Sequence, residues 1–149
     1  MRRLPIVLVL VLALAACGGS KKGSVPTNGG TVSTAAEKAQ IKSAYEKFFA
    51  GKTPLDQRVA LLQNGSQFKP VIRTFASNPL AKNVSATVSS VTLQGQNKAK
   101  VVYVVTFAGT SLPKQTGTAV RQGGTWKVGF ASLCKLVSLG GSTPSACKS

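Results

Sequence analysis

The sequence predicts a single α+β domain in which three N-terminal helices pack on one face of a curved, four-stranded antiparallel sheet. Three observations carry this expectation. Apolar residues between Thr34 and Pro79 recur at helical spacing, whereas beyond Lys82 they recur at every second position. The alternation also slips by one residue at Ser90, which predicts a β-bulge and a bent strand. Helices first and a meander of strands afterwards is the order of an α+β domain, and residues 34–149 suffice for one core.

The first helix is expected from Thr34-Ala-Ala-Glu37, which has capping-box spacing, with Ile41, Ala44, Tyr45, Phe48 and Phe49 on one face and Gly51 at its end. Thr53-Pro54 opens a second, short helix that carries Leu55, Val59 and Leu62 inward and stops at Asn64-Gly65. Ser66 is expected to cap the third, whose Phe68, Val71, Ile72 and Phe75 share a face; Pro70 is tolerable in the first turn, and Asn78-Pro79 closes the helix. Val84, Ala86 and Val88 then alternate with polar residues, and Val91 and Leu93 resume out of step. A Gly95-Gln96-Asn97 turn leads to a strand from Ala99 to Ala108, apolar on both faces at its centre and so read as the central strand. Gln115 to Arg121 and Thr125 to Ala131 pair across Gln122-Gly123-Gly124. A bulged sheet closed by helices makes a cone or half-barrel, which leaves a pocket.

Upstream of the domain, Arg2 and Arg3 precede an unbroken apolar run from Leu4 to Ala16. A permanent membrane span needs about 20 residues, so this run reads as a secretory leader covering residues 1–16. Leu14-Ala15-Ala16-Cys17 resembles the lipobox of bacterial lipoproteins, which implies cleavage before Cys17 and a diacylglyceryl group on its thiol. Two acyl chains give stable membrane residence where one gives marginal binding. Residues 17–33, rich in Gly, Ser, Thr and Lys, are expected to tether the domain roughly 20–25 Å from the membrane. The implied location is the extracytoplasmic face of the cell membrane. Lipidation of Cys17 leaves Cys134 and Cys147 as a pair, able to form a disulfide in an oxidising compartment.

The formal charge is +16, and loss of Arg2 and Arg3 with the leader lowers it by 2 to +14. An exported chain of that charge is drawn to anionic phospholipid or wall polymer, with nucleic acid an unexpected partner. The basic residues are scattered, so a solvated surface that keeps the protein soluble is an equal reading.

Catalytic equipment is scarce. Histidine is absent, and the only acidic side chains are Glu37, Glu46 and Asp56, none of them in the predicted strands. General acid–base work near neutral pH therefore lacks its usual groups. Each acid has a structural explanation: Glu37 in the helix cap, Asp56 in a first helical turn, Glu46 on a polar face. Ser132-Leu-Cys-Lys135 has the serine-x-x-lysine spacing of penicillin-recognising enzymes, but Ser111-Leu-Pro-Lys114 matches equally and the companion motifs are missing. No metal-ligand spacing, phosphate loop or dinucleotide fingerprint is present, so neither metal nor cofactor is expected. The chain reads as non-enzymatic, binding a small apolar ligand or an envelope partner. Tyr45, Phe49, Tyr103, Phe107, Trp126 and Phe130 are the candidates to line a pocket, although core packing is the ordinary fate of such aromatics.

Tyr45 with Phe48-Phe49, the Gly-Lys-Thr-Pro turn, Arg58-Val-Ala-Leu-Leu-Gln-Asn-Gly65 and Trp126-Lys-Val-Gly ahead of Cys134 and Cys147 together resemble the mycobacterial low-molecular-weight secreted antigen family of actinobacteria. The resemblance implies a fold similar to nuclear transport factor 2, an extracytoplasmic location and a terminal disulfide. It implies no catalytic activity.

Overall fold

The computed structural model describes residues 34–148; the leader 1–16, Cys17 and the tether 17–33 lie outside the described residues. Helix α1, Thr34–Phe49, buries Ile41, Ala44, Tyr45, Phe48 and Phe49, the stripe that its spacing predicts. Past its end, Gly51 lies so close to the next crossing of the chain that a Cβ would sit 2.2 Å from the Lys82 carbonyl oxygen. Its N–H donates to the Val84 carbonyl at 2.8 Å. Close approach, rather than a left-handed cap, is what this glycine provides.

Helix α2, Leu55–Leu61, follows Pro54. The chain reverses through Asn64, whose φ of 52° is left-handed. A 3-10 turn, Gly65–Phe68, then enters helix α3, Lys69–Ser77, with proline in its first turn. The expectation that Ser66 caps this helix is corrected: the preceding residue, Phe68, takes the cap position and makes no side-chain hydrogen bond. Pro70 lacks the N–H that a cap would satisfy, so it sets the start by itself. A second 3-10 turn, Pro79–Asn83, delivers the chain to the sheet.

The strands are β1, Val84–Leu93; β2, Lys98–Phe107; β3, Thr110–Ser111; β4, Gln115–Gln122; and β5, Thr125–Val128. They pair in the order β1-β2-β4-β5, with the short β3 also on β2, all antiparallel. The predicted bulge is present. Val88 faces Tyr103 and Ser90 faces Val102, so Ser89 is the extra residue. Val91 and Leu93 thereby stay on the same inner face as Val84, Ala86 and Val88, and the strand bends. β2 is central in pairing, but Val102 and Val104 on its outer face remain partly exposed, so only the inner face is fully packed.

The expected strand to Ala131 is corrected: β5 stops at Val128 and a fourth helix, α4, spans Phe130–Leu139. Gly129 makes the change of direction. Its N–H donates to the Thr118 carbonyl at 2.7 Å, and a Cβ there would fall 2.4 Å from Thr118 Oγ1. Phe130, Leu133 and Val137 follow at helical spacing, giving the helix an inward face. Cys134 on α4 is disulfide-bonded to Cys147 in a closing 3-10 turn, Ser145–Cys147, with Cα atoms 5.5 Å apart.

Both margins of the sheet meet helical segments. Along β1 the Val88 N–H donates to the Glu46 carboxylate of α1 at 3.2 Å, beside the Gly51–Val84 bond. Along β5 the Gln63 N–H donates to the Val128 carbonyl at 2.8 Å, where Leu62 and Val128 form an isolated parallel bridge.

Candidate functional site

Under α1 the core is aromatic and closed. Tyr45 packs on Tyr103 with ring centroids 5.0 Å apart, and Phe49 stacks on Tyr103 at 5.4 Å. The Tyr45 hydroxyl donates to the Thr118 carbonyl at 2.6 Å. Its oxygen lies 2.9 Å from Ser132 Oγ, which itself accepts the Thr118 N–H at 3.1 Å. Gly117 makes room for this knot, since a Cβ there would lie 2.4 Å from Ser132 Oγ and 2.6 Å from the Tyr45 hydroxyl.

Next to Phe49 a pocket of about 1270 Å³ lies between α3, the inner face of β2, α4 and the segment after α4. Its walls are mostly apolar: Ile72 and Phe75 from α3, Val105 and Phe107 from β2, Leu136 and Val137 from α4. Gly140, Ser142, Thr143 and Pro144 form one side, and the disulfide ties that segment back onto α4. A mostly apolar pocket with a few polar groups is the usual form of a small-molecule site.

Of the six aromatics expected to line such a pocket, Phe49 and Phe107 do. The other four are placed elsewhere, which corrects that expectation. Tyr45 and Tyr103 fill the closed core, Trp126 is buried beneath Arg121 with the guanidinium 5.0 Å from its ring, and Phe130 stacks on Phe68 at 5.6 Å. Under α1 the rings of Tyr45, Phe49 and Tyr103 pack directly on one another.

Sequence reasoning gave no role to Arg58, which lines the pocket and is 2 % exposed. One amino group donates to the Ala50 carbonyl at 2.7 Å, the Phe75 ring centroid lies 6.0 Å from its central carbon, and Nε, buried, has no acceptor. Burial lowers its pKa from the ordinary arginine value. A signal was there: Arg58 lies at helical spacing from Leu55 and beside Val59, on the face of α2 that the sequence assigns to the interior.

The three acidic side chains are all engaged with other cations. Glu37 pairs with Arg121, Glu46 with Lys42, and Asp56 with Lys69 at 3.0 Å. Glu37 thus reaches across to the sheet, beyond the cap role expected of it. For Glu46 burial would raise the pKa, but hydrogen bonds from Lys42 and from the Val88 amide, with the charge of Lys42, hold it below the ordinary carboxylate value.

Ser132 is buried and Lys135 exposed, so their spacing does not assemble a nucleophile and base. Lys100 is exposed and Lys127 half-buried. Burial pushes the Tyr103 phenol up to about 12 and raises that of Tyr45 as well, so both hold their protons near neutral pH. Among the described residues no group of His, Cys, Asp or Glu could hold a metal ion, and no helix is long and apolar enough to cross a membrane.

Residues 34–144 match the family described as low molecular weight antigen MTB12, C-terminal domain. No curated protein matches the sequence. Among solved structures, the chain is similar to an NTF2-like transpeptidase, so described, from Campylobacter jejuni: TM-score 0.41, 11% sequence identity, covering 59% of this chain and 92% of that one. At that distance the likeness carries no argument about chemistry.

Proposed function

The chain belongs to the low molecular weight antigen MTB12 family through its C-terminal domain, and from that premise we propose that it is a lipid-anchored, extracytoplasmic, non-enzymatic protein that binds a small apolar ligand. The observation that carries this reading is the pocket of about 1270 Å³, walled by Ile72, Phe75, Val105, Phe107, Leu136 and Val137. Solvent-facing apolar area of this kind gains about 25 cal/mol per Å² when an apolar occupant covers it.

A non-enzymatic role is supported by the engagement of the groups that chemistry would need. Ser132 is hydrogen-bonded to Tyr45 and Thr118, the acids are paired, and the buried tyrosines keep their protons. The anchor rests on Cys17 and the run that precedes it. Mass spectrometry of the native protein should find an acylated Cys17 as first residue; a free thiol there, or a retained leader, removes the anchor from the proposal.

Ligand binding is tested by organic extraction of protein purified from its envelope fraction. The expected result is an apolar compound in near-stoichiometric amount. An empty extract together with no binding of a neutral apolar dye refutes it.

A second reading draws on charge. The net +14 that remains after loss of the leader is spread over exposed lysines such as Lys38, Lys52, Lys82 and Lys114, which favour anionic lipid or wall polymer. Such binding weakens steeply as ionic strength rises through about 0.15 M. Salt-insensitive binding, or none, rules it out.

A further inference from the structure

Arg58 is a buried cation that, among the described residues, has no acidic side chain paired to it. The three acidic side chains are committed to Arg121, Lys42 and Lys69, and from Gln57 onward the sequence contains no other. Asp56, two positions away on the same helix, turns outward to Lys69 with its side chain 86% exposed. Arg121 shows the ordinary arrangement, a partly buried arginine with a carboxylate partner. Arg121 too has an aromatic face and an Nε without an acceptor; what Arg58 lacks is the carboxylate, having one backbone carbonyl in its place.

A charge withdrawn from water and left unpaired is strongly unfavourable, and an anion that arrives beside it recovers that loss. Arg58 is also the one charged side chain among the described residues that line the pocket. From this juxtaposition we infer that the occupant is an amphiphilic monoanion, a long-chain carboxylic acid whose carboxylate pairs with Arg58 while its hydrocarbon chain lies against Phe75, Phe107, Leu136 and Val137. The inference rests on the apolar-ligand reading of the same pocket and names its ligand class.

A single positive charge balances one carboxylate, and the planar guanidinium fork matches carboxylate geometry. A phosphate monoester, which carries close to two negative charges near neutral pH, is the kind of ligand for which several basic side chains converge; here the lining supplies one. The volume of about 1270 Å³ exceeds the roughly 300–1,000 Å³ of drug-sized sites, which suits an extended chain.

The test uses residues 17–149, with Cys17→Ser so that no acyl group of its own can compete. Displacement of a neutral apolar dye is measured with hexadecanoic acid, with hexadecan-1-ol as its uncharged analogue, and with a single-chain phosphatidylglycerol, all below their aggregation limits at neutral pH. The acid is expected to bind about 10-fold tighter than the alcohol, the value of one charge-assisted hydrogen-bonded pair. In Arg58→Met the preference for the acid over the alcohol is expected to disappear. Should that variant not fold by circular dichroism, Arg58→Lys keeps the charge, loses the fork and is expected to weaken the acid alone. Equal affinity of acid and alcohol in the unsubstituted pocket, or a preference that survives in Arg58→Met, overturns the assignment of the acid and leaves the apolar pocket standing. Tighter, Arg58-dependent binding of the phospholipid overturns the carboxylate in favour of phosphate. Binding of none of the three overturns both this inference and the reading beneath it.

Discussion

The hydroxyls of Tyr45 and Ser132, 87 residues apart in sequence, lie 2.9 Å from each other in the interior, and the Thr118 backbone closes the knot with one bond to each. With the Tyr45 proton directed at the Thr118 carbonyl, the Ser132 hydroxyl donates to Tyr45. Helices α1 and α4 are thereby joined through β4. Removing the Tyr45 hydroxyl leaves the Thr118 carbonyl with the Gly129 N–H alone and the buried Ser132 hydroxyl without its acceptor, so Tyr45→Phe should lower stability by about 1–2 kcal/mol. Gly117→Ala should cost more, about 2–3 kcal/mol, because the added methyl has no space among three side chains. Urea unfolding of both variants checks the order; a neutral Gly117→Ala would contradict the close packing described.

Glu46 gives the fold a pH dependence of known sign. Its folded pKa is below the ordinary 4.5. A depressed carboxylate contributes fully above its unfolded pKa, and the contribution is lost as pH falls through the folded value. Glu46→Gln should therefore be less stable than the parent at pH 7, by about 1 kcal/mol for the weakened bonds to Val88 and Lys42. The difference should shrink as pH is lowered past 4.5. A gap that is constant with pH would show that the carboxylate charge plays no part.

The disulfide closes a loop with a sequence separation of 13. On the chain-entropy account its loss costs about 3 kcal/mol. The double variant Cys134→Ser, Cys147→Ser should show that fall in thermal or urea unfolding. It should also bind a neutral apolar dye less tightly, because the segment from Gly140 to Pro144 loses its tie to α4. Unchanged dye binding would separate that wall from the site.

Asn64 has two duties that substitution can separate. Its left-handed φ of 52° favours Gly or Asn, and its amide exchanges hydrogen bonds with Gln122, 2.7 Å from Nε2 to Asn64 Oδ1 and 3.1 Å from the Asn64 N–H to Oε1. Asn64→Gly loses one of these bonds and keeps the conformation, whereas Asn64→Ala also adds about 1 kcal/mol of backbone strain. Denaturation midpoints should therefore fall in the order parent, glycine, alanine; equal values for the two variants would remove the strain.

Much of the frame was legible because it is local. The stripe from Ile41 to Phe49 follows from helical spacing, and the doubled outward position at Ser89-Ser90 announces the bulge. Helix α4 was hidden by its first residues: Trp126, Val128 and Phe130 continue a strand-like alternation, and only the contact of Gly129 with Thr118 forces the turn. The site was less legible. Its walls come from segments far apart in sequence, and Arg58 passed unassigned because arginine is by default a surface residue. Its burial depends on α3 covering it. The pairing of Glu37 with Arg121 was equally out of reach, being a contact between α1 and β4 that no spacing encodes.

The helical segments at the sheet's two margins have a further consequence. A bare strand edge recruits other strands, and the outcome ranges from paired copies to fibrils. Here Glu46 and Gly51 occupy hydrogen-bonding positions on β1 while Gln63 occupies one on β5, and the bulge at Ser89 twists the remainder of β1 out of line. The sheet is thus a poor template for growth. At those positions a neighbour meets the sheet through side chains, a mode in which surface chemistry, rather than backbone pairing, selects the companion.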